Sequence, residues 1–200
     1  LHDAAMPSIT IAGQEYSTDE RNLDLENMGL TDADIQDLQY MVNLTSLNLN
    51  GNAITDLTPL SSLTELRTLR LAQTDVSDLT PIAGLTKLET LYLQDNVNLS
   101  DPSPIAGLTS LTNLSYEASG TPVSDLSFLS GLTRLRDLSV RNAMGVTDLT
   151  PLSGLTNLRS LYINSDGSAG LAVEVTDLSA LAGLTSLQTL QIYASGLEDL

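Results

Sequence analysis

Few residues in this chain are able to do chemistry, and their placement limits what they can do. Among 200 residues there is one histidine, His2, and no cysteine. A Ser-His-Asp or Cys-His arrangement needs an imidazole held in place to take the nucleophile's proton, and His2 lies in a segment expected to fray. Without thiols there are neither disulfides nor thiolate metal sites. Carboxylates are plentiful, 25 Asp and Glu together, so a glycosidase-like acid pair is the one catalytic arrangement the composition could supply. An aromatic content of 4% gives no stacking cleft for a sugar to go with it. The sequence therefore reads as non-enzymatic, with no cofactor and no metal.

The acids are not scattered. Eight aspartates follow an aliphatic residue and a Ser, Thr or Glu: Asp32, Asp56, Asp78, Asp101, Asp125, Asp148, Asp177 and Asp199. One such residue per repeat makes a column along an edge, which could be taken for a calcium ladder. Calcium needs six to eight oxygens converging on one point, and neither EF-hand nor glycine-rich nonapeptide spacing is present. The expectation is structural. Aspartate accepts from local backbone N–H groups in turns, and the positive end of a helical turn favours an anion. Gly84, Gly107, Gly131, Gly154 and Gly183 each precede Leu-Thr and could be mistaken for phosphate loops. No G-x-x-x-x-G-K-[ST] is present, and their recurrence implies a convex-side turn.

These residues hang on a repeat. Segments beginning at Leu44, Leu66, Leu88, Leu111, Leu135, Leu158 and Leu187 each read L-x-x-L-x-[LIVY], spaced 22, 22, 23, 24, 23 and 29 residues apart, and Leu23 and Leu25 mark a weaker first copy. Two leucines two residues apart, as in Leu47-Asn48-Leu49, lie on one face of a strand. So short a strand cannot persist alone. About 22 residues suffice to come around and lay the next strand beside it in parallel. The return path reads D-L-[TS]-P-[LI], as at Asp56-Leu57-Thr58-Pro59-Leu60, where Thr before Pro predicts a helix N-cap opening a 3₁₀ or very short α-helical turn. Strands at about 4.8 Å spacing against bulkier turns bend the stack, with the sheet on the inside. With 41 Leu and one Phe, leucine must carry the core.

The run Asn52-Ala-Ile-Thr-Asp-Leu-Thr-Pro-Leu60, continuing to Leu63 and Leu66, resembles the leucine-rich-repeat family in its 22-residue internalin type, and the resemblance covers roughly residues 20–200. It implies an α/β fold: a curved leucine-rich-repeat solenoid with a parallel β-sheet on the concave face and short 3₁₀ or α turns on the convex face. Residues 1–22, with alternating Ile9-Thr-Ile11 and Tyr16, are expected to form an N-terminal capping segment. Residues 23–200 form about eight repeats; the sequence stops at Asp199-Leu200 inside the D-L-T-P-L motif, so the natural chain is expected to continue. In the family, an Asn after the strand hydrogen-bonds the backbone between coils. It is kept at Asn52 and Asn96 and becomes Thr74, Ser119, Ala143, Asp166 and Ser195 elsewhere, which predicts less regular later repeats.

A net charge of −17 opposes binding to nucleic acid or anionic lipid, and no apolar run approaches the roughly 20 residues of a membrane span. The expected partner is a protein, bound by a monomer. If the fourth and sixth repeat positions point inward, the third, fifth and seventh face the concave side. There the fifth-position column carries Arg70, Tyr92 and Tyr162, and the seventh carries Glu117, Arg141 and Tyr193. Tyr and Arg are frequent interface anchors, so these six are the candidate contact residues. Tyr is also a good strand former that packs on lateral neighbours, which is the structural alternative. Tyr116 replaces an inward Leu and is expected to be buried. The 29-residue spacing marks an insertion, whose Ser165, Asp166, Gly167 and Ser168 form a second candidate contact loop.

Internalin-like repeats bind host receptors through the concave face, so the resemblance implies a recognition or adhesion domain, secreted or on the surface of a bacterium. Two alternatives stand beside it: an intracellular regulatory scaffold of the phosphatase-subunit type, and an architectural spacer presenting a flanking domain.

Overall fold

The computed structural model describes residues 7–164 and 175–192. Strands β1 (Ser8–Ile11) and β2 (Gln14–Ser17) form an antiparallel hairpin that places Ile9 and Ile11 in the core. Its turn runs through Ala12 and Gly13, both at positive φ. Eight further strands follow: β3 (Asn22–Asp24), β4 (Ser46–Asn48), β5 (Thr68–Arg70), β6 (Thr90–Asn96), β7 (Asn113–Ala118), β8 (Asp137–Arg141), β9 (Ser160–Ile163) and β10 (Thr189–Ile192). They make a single parallel sheet in sequence order, each strand paired with the copies before and after it in the chain.

Register follows from the repeat. Leu47, Leu69, Leu91, Leu114, Leu138 and Leu161 sit directly opposite one another on successive strands, and all are buried. A one-residue slip would turn every one of these leucines to the opposite face, so burial of the row fixes the pairing. Between the strands the chain returns through 3₁₀ segments: Asp32–Tyr40, Thr58–Leu60, Thr80–Ile82, Ser103–Ile105, Ser127–Leu129, Thr150–Leu152 and Ser179–Leu181. Each of the last six is three residues long. The architecture is the curved leucine-rich-repeat solenoid that the sequence implies.

Capping of the short turns differs from the expected pattern. Thr58, Thr80 and Thr150 are the first residues inside their 3₁₀ turns, not caps. The cap is the aspartate two residues earlier: Oδ1 of Asp56, Asp78, Asp101, Asp125, Asp148 and Asp177 accepts the backbone N–H of Thr58, Thr80, Ser103, Ser127, Thr150 and Ser179 at 2.8–2.9 Å. A three-residue turn leaves its N-terminal donors exposed, and a short side chain reaching forward satisfies one of them. Hydrogen bonds from these Thr and Ser residues hold the carboxyls of Asp78, Asp101, Asp148 and Asp177 below the usual carboxylate range. These six aspartates are thus occupied by their own turns, whereas Asp32 accepts from the Thr55 and Asp56 N–H groups of the next coil. Among the described residues no three His, Cys, Asp or Glu converge as metal ligands. The glycines before Leu-Thr sit in turns without positive φ, and a Cβ at Gly84, Gly107, Gly154 or Gly183 would meet nothing within 4 Å.

The opposite side of each coil, just past the strand, is held by asparagine. Asn52 is 2% exposed; its Oδ1 accepts from the N–H of Met28 and Leu30, and its Nδ2 donates to the carbonyls of Leu25, Leu49 and Asn50. Asn96 does the same two coils on. It donates to Leu71, Leu93 and Gln94 and accepts from the N–H and hydroxyl of Thr74. The later repeats were expected to lose this bracing where Ala143 stands in place of Asn. Instead Asn142, one position earlier and at positive φ, turns its side chain inward and donates to the carbonyls of Ala118 and Ser119. Lateral pairing accordingly continues through β7, β8, β9 and β10. Among the described strand pairs of this sheet the register shifts between Leu93 and Asn96 on β6, and Asp166 and Ser195, where the Asn is also replaced, lie outside the described residues.

Candidate binding face

The side of the sheet turned away from the leucine rows carries, on successive strands, Asn48, Arg70, Tyr92, Ser115, Ser139, Tyr162 and Gln191 in lateral register. Alternation along each strand places them there, and the sheet pairing makes them one continuous row. Four of the six predicted contact residues, Arg70, Tyr92, Arg141 and Tyr162, lie on this face and are half-buried or exposed. Tyr193 and the loop residues Ser165, Asp166, Gly167 and Ser168 lie outside the described residues.

Tyr92 is held on two sides. The Arg70 guanidinium carbon lies 5.0 Å from its ring centroid, a cation–π contact, and its hydroxyl accepts from Asn113 Nδ2 at 3.3 Å. Such a ring has little rotamer freedom left to lose on binding. Between Tyr92 and Tyr162 the row drops to Ser115 and Ser139, leaving a groove of about 450 Å³ three strand spacings wide, or about 14 Å. Its floor is those two serines. Asn113, Asp137 and Ser160 line one end, and Arg141 and Asn164 line the other. Asn113, Asp137 and Ser160 belong to the third-position column, which strand alternation also turns outward but which had no aromatic or arginine to single it out.

Glu117 corrects the expectation made for it. Although its column faces the concave side, only 3% of it is exposed, because lateral neighbours cover it. Oε2 accepts the Asp95 backbone N–H at 3.0 Å and lies 3.6 Å from Arg141 Nη1, which is also 4.0 Å from Asp95. Glu117 therefore anchors Arg141 from beneath and is not itself a contact surface. Burial pushes its carboxyl up, the Asp95 side chain adds to this, and Arg141 opposes it.

A carboxyl raised in the folded state favours folding when protonated, and that contribution is lost as pH rises through the folded value. Arg141→Met removes the opposing cation and raises Glu117 further. The variant is expected to be less stable than wild type at pH 7 by about 1 kcal/mol, kept small by screening of a guanidinium that is 40% exposed. The difference should shrink near about pH 4, where carboxyls take up protons in either state. Urea unfolding at the two pH values reads it, and an equal loss at both would assign Arg141 to packing alone.

Tyr116, expected inside, is fully buried, its ring 5.7 Å from that of Phe128. Burial and the nearby Asp101 push its phenol up to about 12.

Comparison with known proteins bears on the family and the fold. A family model described as a leucine-rich repeat region matches residues 39–200. The crystal structure of internalin C2 from Listeria monocytogenes is similar with a TM-score of 0.75 at 32% identity, covering 94% of this chain and 82% of that one. The functional domain of InlJ from Listeria monocytogenes, which includes a cysteine ladder, has a TM-score of 0.65 at 23% identity over 92% of this chain and 42% of its own. A leucine-rich-repeat protein of Leptospira interrogans gives 0.62 at 21% over 87% and 55%. These last two likenesses bear on the fold alone. No curated protein matches by sequence. Among the described residues no helix is long and apolar enough to cross a membrane. With a family model over most of its length and repeats of the 22-residue pattern, the chain belongs to the leucine-rich-repeat family and is internalin-like.

Proposed function

We propose that this chain is a non-catalytic protein-binding domain that works as a monomer, secreted or displayed on a bacterial surface, and recognises a protein ligand through its concave face. The observation that carries the reading is the row from Arg70 to Tyr162. Aromatic and cationic anchors are concentrated on one face of a rigid sheet in a chain that has only six Tyr and one Phe. Preformed anchors on a stiff scaffold keep the entropic cost of association low. The likeness to internalin C2 supports the bacterial assignment. Ser165, Asp166, Gly167 and Ser168 of the insertion, which follow β9 in the chain, are a second contact in this reading.

The test is capture from separate surface-protein and cytosolic pools by the wild-type domain and by a Tyr92→Ala/Tyr162→Ala double variant, both shown to be folded. The expected result is a surface-pool partner held by wild type and weakened at least about tenfold in the variant. A partner held equally by both moves the site off the concave face, and one found only in the cytosolic pool overturns the localisation.

A further inference from the structure

The groove between Tyr92 and Tyr162 has a polarity that narrows what can enter it. Asp137 at one end is exposed and forms no ion pair among the described residues. Asn113 and Ser160 flank it in register on the adjoining strands. At the other end, four residues along β8 and so about 13 Å away, the charge of Arg141 is answered by Glu117 and Asp95. The groove as a whole is negative, on a chain whose net charge is −17. Its walls are aromatic. Arg70 already covers the outer side of Tyr92, which leaves Tyr162 as the ring free to face a cation and Tyr92 as a wall for an aliphatic stem.

We propose that this groove seats a lysine or arginine side chain from an exposed segment of the protein partner, with the stem between Tyr92 and Tyr162 and the cationic head at Asp137. The proposal rests on the concave-face reading above and names the chemistry the partner must present. Each part of such a side chain meets its complement. Methylenes lie along one tyrosine wall, the Tyr162 face also attracts the cation electrostatically, and the head reaches a carboxylate with polar neighbours to take its remaining donors. An acidic or purely apolar side chain would leave Asp137 repelled or unmatched, which gives the groove its selectivity.

The probes are capped pentapeptides with a central lysine, arginine, norleucine or glutamate in a glycine background, titrated into the isotopically labelled domain and followed by NMR. Lysine and arginine peptides are expected to shift resonances of Ser115, Asp137, Ser139 and Tyr162. Norleucine and glutamate peptides should leave them in place. Asp137→Asn should weaken the lysine peptide about fivefold, whereas Asp19→Asn, an equal charge change on the exposed loop after β2, should not. Shifts from norleucine equal to those from lysine would make the groove merely apolar. Lysine-induced shifts spread over the acidic turns, or absent from the groove, would likewise overturn the proposal. Failure here is distinct from failure of the concave-face reading: a captured partner lost with Tyr92→Ala/Tyr162→Ala but unaffected by Asp137→Asn keeps that reading and removes the cationic seat.

Discussion

Asn52→Ala is expected to destabilise the fold by about 3–5 kcal/mol, more than any surface change in the chain. The side chain is buried and satisfies two backbone donors, on Met28 and Leu30, and three backbone acceptors, on Leu25, Leu49 and Asn50. Truncation removes one partner from each of these bonds and puts nothing in its place. A buried backbone group left unpaired costs about 1–3 kcal/mol, and partial relaxation or water entry recovers some of the total. Asn52→Thr is the informative companion, because Thr74 stands at the equivalent position, where its single hydroxyl proton has the Leu71 carbonyl and Asn96 Oδ1 as alternative acceptors. The threonine variant is expected to fall between wild type and alanine. Urea unfolding followed by circular dichroism measures all three, and a loss below about 1 kcal/mol for alanine would mean that the turn finds other partners easily.

Leu69→Ala is expected to cost about 2–5 kcal/mol by leaving a cavity in a row where Leu47 and Leu91 are also fully buried. The place of the loss matters as well as its size. In a stack of coils each unit touches only its neighbours, so a cavity at one coil weakens the coupling between the parts on either side. The variant should therefore show a broader transition, read as a lower urea m-value, as well as an earlier midpoint. Arg70→Ala, one residue along on the exposed face, should change stability by no more than about 0.5 kcal/mol. Equal losses at the two positions would contradict the inward and outward assignment of β5.

The candidate face was partly legible in the sequence. Tyr92 and Tyr162 could be assigned outward because strand alternation depends only on parity from the buried leucines, and their lateral order followed from counting repeats. Arg70 over Tyr92 is a consequence of the same counting. The groove end at Asp137 was not singled out, because nothing in residue type marks it until its neighbours are known. Glu117 was misread for a related reason. Parity gives the side of the sheet but not the exposure, and exposure there is decided by Arg141 and Asp95 reaching across from the flanking coils.

What the sequence by itself determined is periodic. A leucine pattern recurring at 22 to 24 residues requires parallel strands, fixes their register through the buried row, and assigns one aspartate to each return turn, since these depend on local geometry copied from coil to coil. What only the tertiary structure decided is everything that depends on contacts between unlike repeats. Asn142 reaches the Ala118 carbonyl from a position whose counterparts Gln73 and Asp95 share its positive φ but stay exposed, so the backbone conformation common to the coils does not decide it. The depth of the groove and the pairing of its charges likewise come from side chains on β6 to β9 meeting across the sheet. No single repeat contains that information, because the residues that meet there differ from one coil to the next.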